Sequence, residues 1–151
     1  MQSWKQKAVA FVRSNLFIPD PRKGWNKYAF KKAVEIIKTY QIKNVITTSP
    51  PHSTQLIGLK LKNLFKEEIN WISDFRDPWT DIYYYNLLNH SKISHRINSN
   101  YELKVIESSD KIITVGEKFK ATLLQKSKLI ATDKIAVITN GFDPEDFEGI
   151  N

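Results

Sequence analysis

Asn70-Trp71-Ile72-Ser73-Asp74-Phe75-Arg76-Asp77-Pro78-Trp79 is the stretch whose reading decides the fold. Trp71-Ile72-Ser73-Asp74 fits a buried strand, and two carboxylates and a guanidinium gather at its carboxyl end, in Asp74, Arg76 and Asp77. In parallel α/β sheets that edge is where ligands bind, because strand ends and helix starts converge there. A second apolar run ends in kind, at Thr47-Thr48-Ser49-Pro50-Pro51-His52-Ser53. Polar chemistry on two strand ends of one rim predicts a binding cleft.

Outward from these turns, short β-branched runs alternate with amphipathic stretches. Val45-Ile46-Thr47-Thr48 reads as a strand, and a helix from near His52 to Phe65 turns Leu56, Ile57, Leu61, Leu64 and Phe65 inward. A tyrosine- and asparagine-rich loop follows the strand at Trp71. Next come a helix over 94–108, with Ile97, Tyr101, Leu103 and Val105 inward, a strand over 111–115, a helix over 117–126 with Phe119, Leu123 and Leu124 inward, and a strand over 134–138. Strand–helix alternation with short connections predicts βαβ units with right-handed crossovers. The expected fold is therefore α/β, a Rossmann-like parallel sheet of about four strands flanked by helices. Ahead of it, a helix over 25–40 packs Phe30, Val34 and Ile37, residues 4–14 fit a short helix, and Phe17-Ile18-Pro19-Asp20-Pro21 reads as an extended linker. The division expected is a basic helical and linker segment, 1–24, and a partial Rossmann-like domain, 25–151.

The chain has 151 residues, enough for one core, and no cysteine, which excludes disulfides and thiolate metal sites. No apolar stretch approaches the roughly 20 residues that span a bilayer, and the amino terminus lacks a signal peptide's apolar region. The expected location is the cytoplasm. Residues 1–38 carry nine basic residues against Asp20 and Glu35, a surplus equal to the whole net charge of +7. Such a front suits nucleic acid, anionic lipid or a phosphorylated substrate, or is simply a solvated lysine surface.

Each candidate group has a plain structural alternative. Asp77 suits hydrogen bonding to a sugar, Arg76 suits a phosphate or carboxylate, and Trp79 offers a flat face for a sugar ring; alternatively, an Asp–Arg ion pair fixes the loop. Pro50 and Pro51 preset a sharp turn that would leave free N–H groups of the next helix facing the cleft. His52 there contacts substrate or caps the helix. His90 and His95 read as surface residues. Tyr83, Tyr84 and Tyr85 either line an acceptor groove or anchor the loop. Gly141, in Thr139-Asn140-Gly141-Phe142-Asp143-Pro144, suits a turn with positive φ. No glycine-rich phosphate loop, hydrolase triad context or metal-ligand spacing is present in the sequence.

Together, Ile46–Ser53, Trp71–Trp79, Ser109-Asp110-Lys111-Ile112-Ile113-Thr114-Val115 and Val137-Ile138-Thr139-Asn140-Gly141-Phe142-Asp143, followed by Phe147, resemble the amino-terminal domain of a bacterial glycosyltransferase of family 4 with GT-B architecture. The resemblance implies two facing Rossmann-like domains, the first holding a saccharide or lipid-linked acceptor and the second a nucleotide-sugar. It implies hexosyl transfer with retention, in glycan biosynthesis, with the nucleotide-sugar as co-substrate and no cofactor or metal. Carried onto this sequence, it places Arg76 and Asp77 as catalytic, His52, Ser53, Asp74 and Trp79 as substrate-binding, and Asn140 and Gly141 at an interdomain hinge. The family's leading strand would precede residue 1 and its second domain would follow Asn151. The chain thus resembles an internal fragment, unable to transfer sugar alone. A nucleic-acid-binding or scaffolding α/β module using the basic front is the alternative. The front also suits an anionic membrane at the inner face. The outer edge of the strand at Val45 is expected to be covered by residues 1–20 or to self-associate with another copy.

Overall fold

Each apolar run that reads as a strand is one, and every strand runs parallel to its neighbour. The computed structural model describes residues 4–141 and 143. In chain order the elements are α1 (Trp4–Leu16), α2 (Asn26–Tyr40), β1 (Asn44–Ser49), α3 (Ser53–Phe65), β2 (Asn70–Phe75), α4 (Lys92–Ser108), β3 (Lys111–Thr114), α5 (Glu117–Lys126) and β4 (Ile135–Val137). Local chemistry sets their ends. Gln41 closes α2 in the left-handed region, at φ 51°. Ser91 opens α4 by accepting from the Ser94 N–H at 3.1 Å.

The four strands lie in the order β1-β2-β3-β4. Each crossover therefore steps in the same direction across the sheet. Right-handed crossovers that all step one way deposit their helices on the same face. Accordingly Val45, Trp71, Phe75, Ile112 and Ile135 meet the helices, in a core that includes Val105, Ile106, Phe119 and Leu123. The alternate positions, Ile46, Thr48, Ile72, Asp74, Ile113 and Ala136, lie on the opposite face and are half-buried or exposed.

α2 packs on α3 around Ile37, Ile57, Leu61 and Phe65, with Phe30 and Val34 at its margin. α3 crosses β2 closely: a Cβ on Gly58 would stand 2.2 Å from Trp71 Nε1. Under α3, Gln55 Nε2 donates to the carbonyls of Thr47 and Asp74, while Thr47 Oγ1 accepts from Trp71 Nε1. At the other end of β2, Lys62 Nζ reaches Asp110 Oδ1 at 2.9 Å, and Asp110 Oδ2 accepts from the Trp71 N–H.

Several expectations need correcting. Leu64 points outward, at the margin of the buried arc of α3. The buried side of α4 is broader than apolar spacing suggested: Ile106 joins the core, and Ser94, Asn98 and Glu102 are also buried. Residues 17–21 are held down rather than spanning freely, with Ile18 buried and Asp20 bonded to α3. Residues 4–20 do not cover the outer edge of β1. Instead α1 packs against α4 and the turn at 85–88. Phe142 and Phe147 lie outside the described residues.

Candidate active-site rim

Ser49 and Phe75 are register partners, so the turns after β1 and β2 leave the sheet side by side. The Arg76 N–H donates to the Ser49 carbonyl at 3.1 Å, carrying the pairing one residue past the strands. Gln55 Nε2 also reaches Ser49 Oγ at 3.1 Å from inside α3. Above this floor the ring of His52 lies flat on that of Trp79, with centroids 4.8 Å apart and planes inclined by 8°. The two turns are thereby locked together.

Burial of His52 pushes its pKa down to about 4, against the opposing pull of the Asp20 and Asp77 carboxylates. It is a neutral imidazole at pH 7, and its Nδ1 is buried without a hydrogen-bond partner among the described residues. The chemistry it suits is that of a fixed neutral ring, not of a cation.

Pro50 and Pro51 give the sharp entry to α3 that the sequence predicts, but its first N–H groups are not all free. Asp20 Oδ2 accepts from the Ser53 N–H at 2.7 Å, and Asp20 Oδ1 accepts from Ser53 Oγ at 2.9 Å and from the Arg22 N–H at 2.9 Å. A carboxylate of the chain itself thus sits at this positive helix end. Asn26 completes the joint by donating from Nδ2 to the Ser53 carbonyl. The Asp-Pro pair at 20–21 is a legible start for the turn at 21–25, yet no local pattern points to Ser53, 33 residues away.

The residues singled out from sequence divide into groups. His52, Asp77 and Trp79 come together, and Arg76 emerges beside them, exposed and without an ion pair among the described residues. Ser53 is fully buried and turned to Asp20. Trp79 is 2% exposed; His52 covers its ring, and its Nε1 donates to Asn98 Oδ1. Asp74 lies on the face opposite the helices. Asn140 and Gly141 are exposed and follow β4, the strand at the far edge from β1. Among the described residues no group of His, Cys, Asp or Glu could hold a metal ion.

The loop from Arg76 to Ser91 is secured from below. Glu102 Oε2 accepts from Thr80 Oγ1 and from Lys126 Nζ, and Lys126 also pairs with Asp81. Tyr85 is buried between His90 and His95, and burial with the nearby Glu102 charge raises its pKa to about 12. His90 is not a surface residue: its Nδ1 lies 3.0 Å from both the Ser14 carbonyl and Ser94 Oγ. Of the tyrosines, Tyr85 anchors the loop, while Tyr83 and Tyr84 stay exposed.

Sequence reasoning did not single out the groove beside His52. It measures about 540 Å³ and runs between Pro21, Arg22, Gly24 and Trp25 on one side and Pro51 and Thr54 on the other. The indole of Trp25 is 48% exposed there, beside the exposed Arg22. Its signal was an aromatic residue next to the short Arg22-Lys23-Gly24 run, which reads equally well as the start of a helix.

The family model for Glycosyltransferase Family 4 matches residues 3–146. No match was found among curated proteins.

Proposed function

The chain belongs to glycosyltransferase family 4, and on that premise we propose that its strand-end rim forms the acceptor-side wall of a sugar-transfer cleft. The observation that carries this reading is the His52–Trp79 stack, which locks two polar turns together and leaves Arg76 exposed at their junction. Arg76 holds an anionic group, such as the phosphate of a nucleotide-sugar or an acidic substituent of the acceptor. Asp77, next to neutral His52, accepts a hydrogen bond from the acceptor hydroxyl. Trp25, rather than the covered Trp79, offers the plate on which a sugar ring stacks, with Arg22 at its edge.

The transferred unit is a hexose from a nucleotide-sugar co-substrate, whose nucleotide is met by a facing domain. A closed, water-poor cleft between two domains favours transfer over hydrolysis. Residues 1–151 by themselves therefore bind acceptor without transferring sugar.

Backbone amide and indole chemical-shift mapping with a panel of neutral and acidic oligosaccharides tests the proposal. Shifts should gather at Arg22, Trp25, His52, Arg76 and Asp77. Shifts confined to the outer surfaces of α4 and α5, or none with any member of the panel, would refute it.

A further inference from the structure

Arg22 and Trp25 share one face of a short helical turn. Residues Pro21–Trp25 form a 3₁₀ turn, in which side chains three residues apart stand one above the other. The guanidinium of Arg22 and the indole of Trp25 therefore project together, and both line the groove beside His52. Lys23 falls a third of a turn away and does not line it. The far wall, Pro51 and Thr54, is held at a fixed distance. Asp20 accepts from the Ser53 N–H and hydroxyl, and Asn26, next to Trp25, donates to the Ser53 carbonyl at 2.7 Å. Ser53 sits between His52 and Thr54, so the turn and the opposite wall are tied through one residue. The groove is thus preformed, and a ligand entering it costs little ordering of the protein.

Charge narrows the ligand. Among the described residues Arg22 has no ion-pair partner. Asp20 is adjacent in sequence, but its carboxylate accepts from the Arg22 and Ser53 N–H groups and the Ser53 hydroxyl, not from the guanidinium. A guanidinium fork matches the two oxygens of a carboxylate. One guanidinium balances one negative charge, whereas a phosphate monoester carries about −1.5 to −2 at neutral pH. Asp20, at the start of the same turn, disfavours that surplus. A flat indole with a single fork above it fits a pyranose ring bearing a carboxylate on C5, the ring face on Trp25 and the carboxylate at its edge on Arg22. We propose that this groove is a subsite for a uronic-acid unit of the acceptor, separate from the position where Asp77 meets the acceptor hydroxyl. The proposal rests on the acceptor-side reading of the rim and adds the class of saccharide that the rim takes.

The test is a titration of the 151-residue chain followed by the Trp25 indole N–H, with disaccharides that differ only at one unit: glucose, glucuronate or glucose 6-phosphate. A nucleoside diphosphate is the fourth ligand. The glucuronate member should bind at least about tenfold more tightly than the glucose member, and more tightly than the phosphate. Arg22→Gln changes an exposed side chain and should abolish the preference while leaving the melting temperature and the glucose affinity unchanged. Arg22→Lys should restore only part of it, since a point charge lacks the fork. Trp25→Ala should weaken the glucose and glucuronate members alike. Equal affinity for those two members, tighter binding of the phosphate or the nucleoside diphosphate at Trp25, or a preference that survives Arg22→Gln would overturn the proposal. If glucose and glucuronate members both bind the rim equally, the uronate assignment alone falls; if no saccharide shifts any rim residue, the acceptor-side reading falls with it.

Discussion

The imidazole of His52 and the indole of Trp79 are stacked nearly parallel across two turns that leave neighbouring strands, 27 residues apart in sequence. Through this contact the rim keeps its shape, because Trp79 is itself fixed by Asn98 from α4. A charged imidazole would not suit so enclosed a position. Burial lowers the His52 pKa from 6.5 to about 4, so the folded state disfavours the added proton. Its contribution to stability is complete above the unfolded value of 6.5 and is lost as the pH falls from there through about 4. The full loss is on the order of 3 kcal/mol. An NMR titration of the His52 ring should give a midpoint near 4, and a midpoint near 6.5 would show that the ring is not enclosed.

Gly58 is where α3 comes down on β2, with no room for a methyl group before Trp71 Nε1. Trp71 cannot step aside, since it is fully buried and bonded to Thr47. Gly58→Ala removes a helix-weakening residue, a gain of about 1 kcal/mol. Overpacking against a fixed indole costs about 1–3 kcal/mol and outweighs that gain, so a net loss of up to about 2 kcal/mol is expected in urea denaturation. A more stable variant would mean that α3 can lift off the sheet at little cost.

Asp20 joins the segment before α2 to the start of α3 through three accepted hydrogen bonds. Asp20→Ala leaves the Ser53 N–H and hydroxyl without their acceptor and should cost about 1–2 kcal/mol. Asp20→Asn keeps an acceptor oxygen and should cost less. Equal melting temperatures for Asp20→Ala and the parent chain would contradict the role given to this carboxylate.

Strands and helices were legible because their apolar runs alternate cleanly, as in Lys111-Ile112-Ile113-Thr114 followed by Phe119 and Leu123. The meeting of the histidine and arginine turns was legible too, as it follows from parallel topology. What stayed hidden depends on partners distant in sequence. Asp20 looked like a linker residue because its partner lies on another helix. Ser94, Asn98 and Glu102 recur every four residues and look like a solvated stripe, yet the loop after Arg76 folds over them. Leu64 reads as core by type, yet it is exposed beside the buried stripe of Ile57, Leu61 and Phe65.

Glu102 shows what that cover requires. Its side chain is 1% exposed, and burial raises its pKa while Lys126 opposes the shift. Lys126→Met leaves a buried carboxylate without its cation and should cost about 3–5 kcal/mol at neutral pH. Lys126→Met with Glu102→Gln should recover much of that loss. The loss in Lys126→Met alone should shrink as the pH falls through the raised pKa of Glu102 and its carboxylate takes up a proton. Additive losses in the double variant, by thermal denaturation, would show that the pair is not coupled.

Calorimetric titration tests the central claim most directly, taking the oligosaccharide that gives the largest shifts and comparing the parent chain with Arg76→Ala, Asp77→Asn and, as a distant control, Lys104→Ala. The rim account predicts at least about tenfold weaker binding for Arg76→Ala and Asp77→Asn, a loss of about 1.4 kcal/mol or more, with melting temperatures and the control unchanged. Affinities that stay level in both rim variants would contradict it.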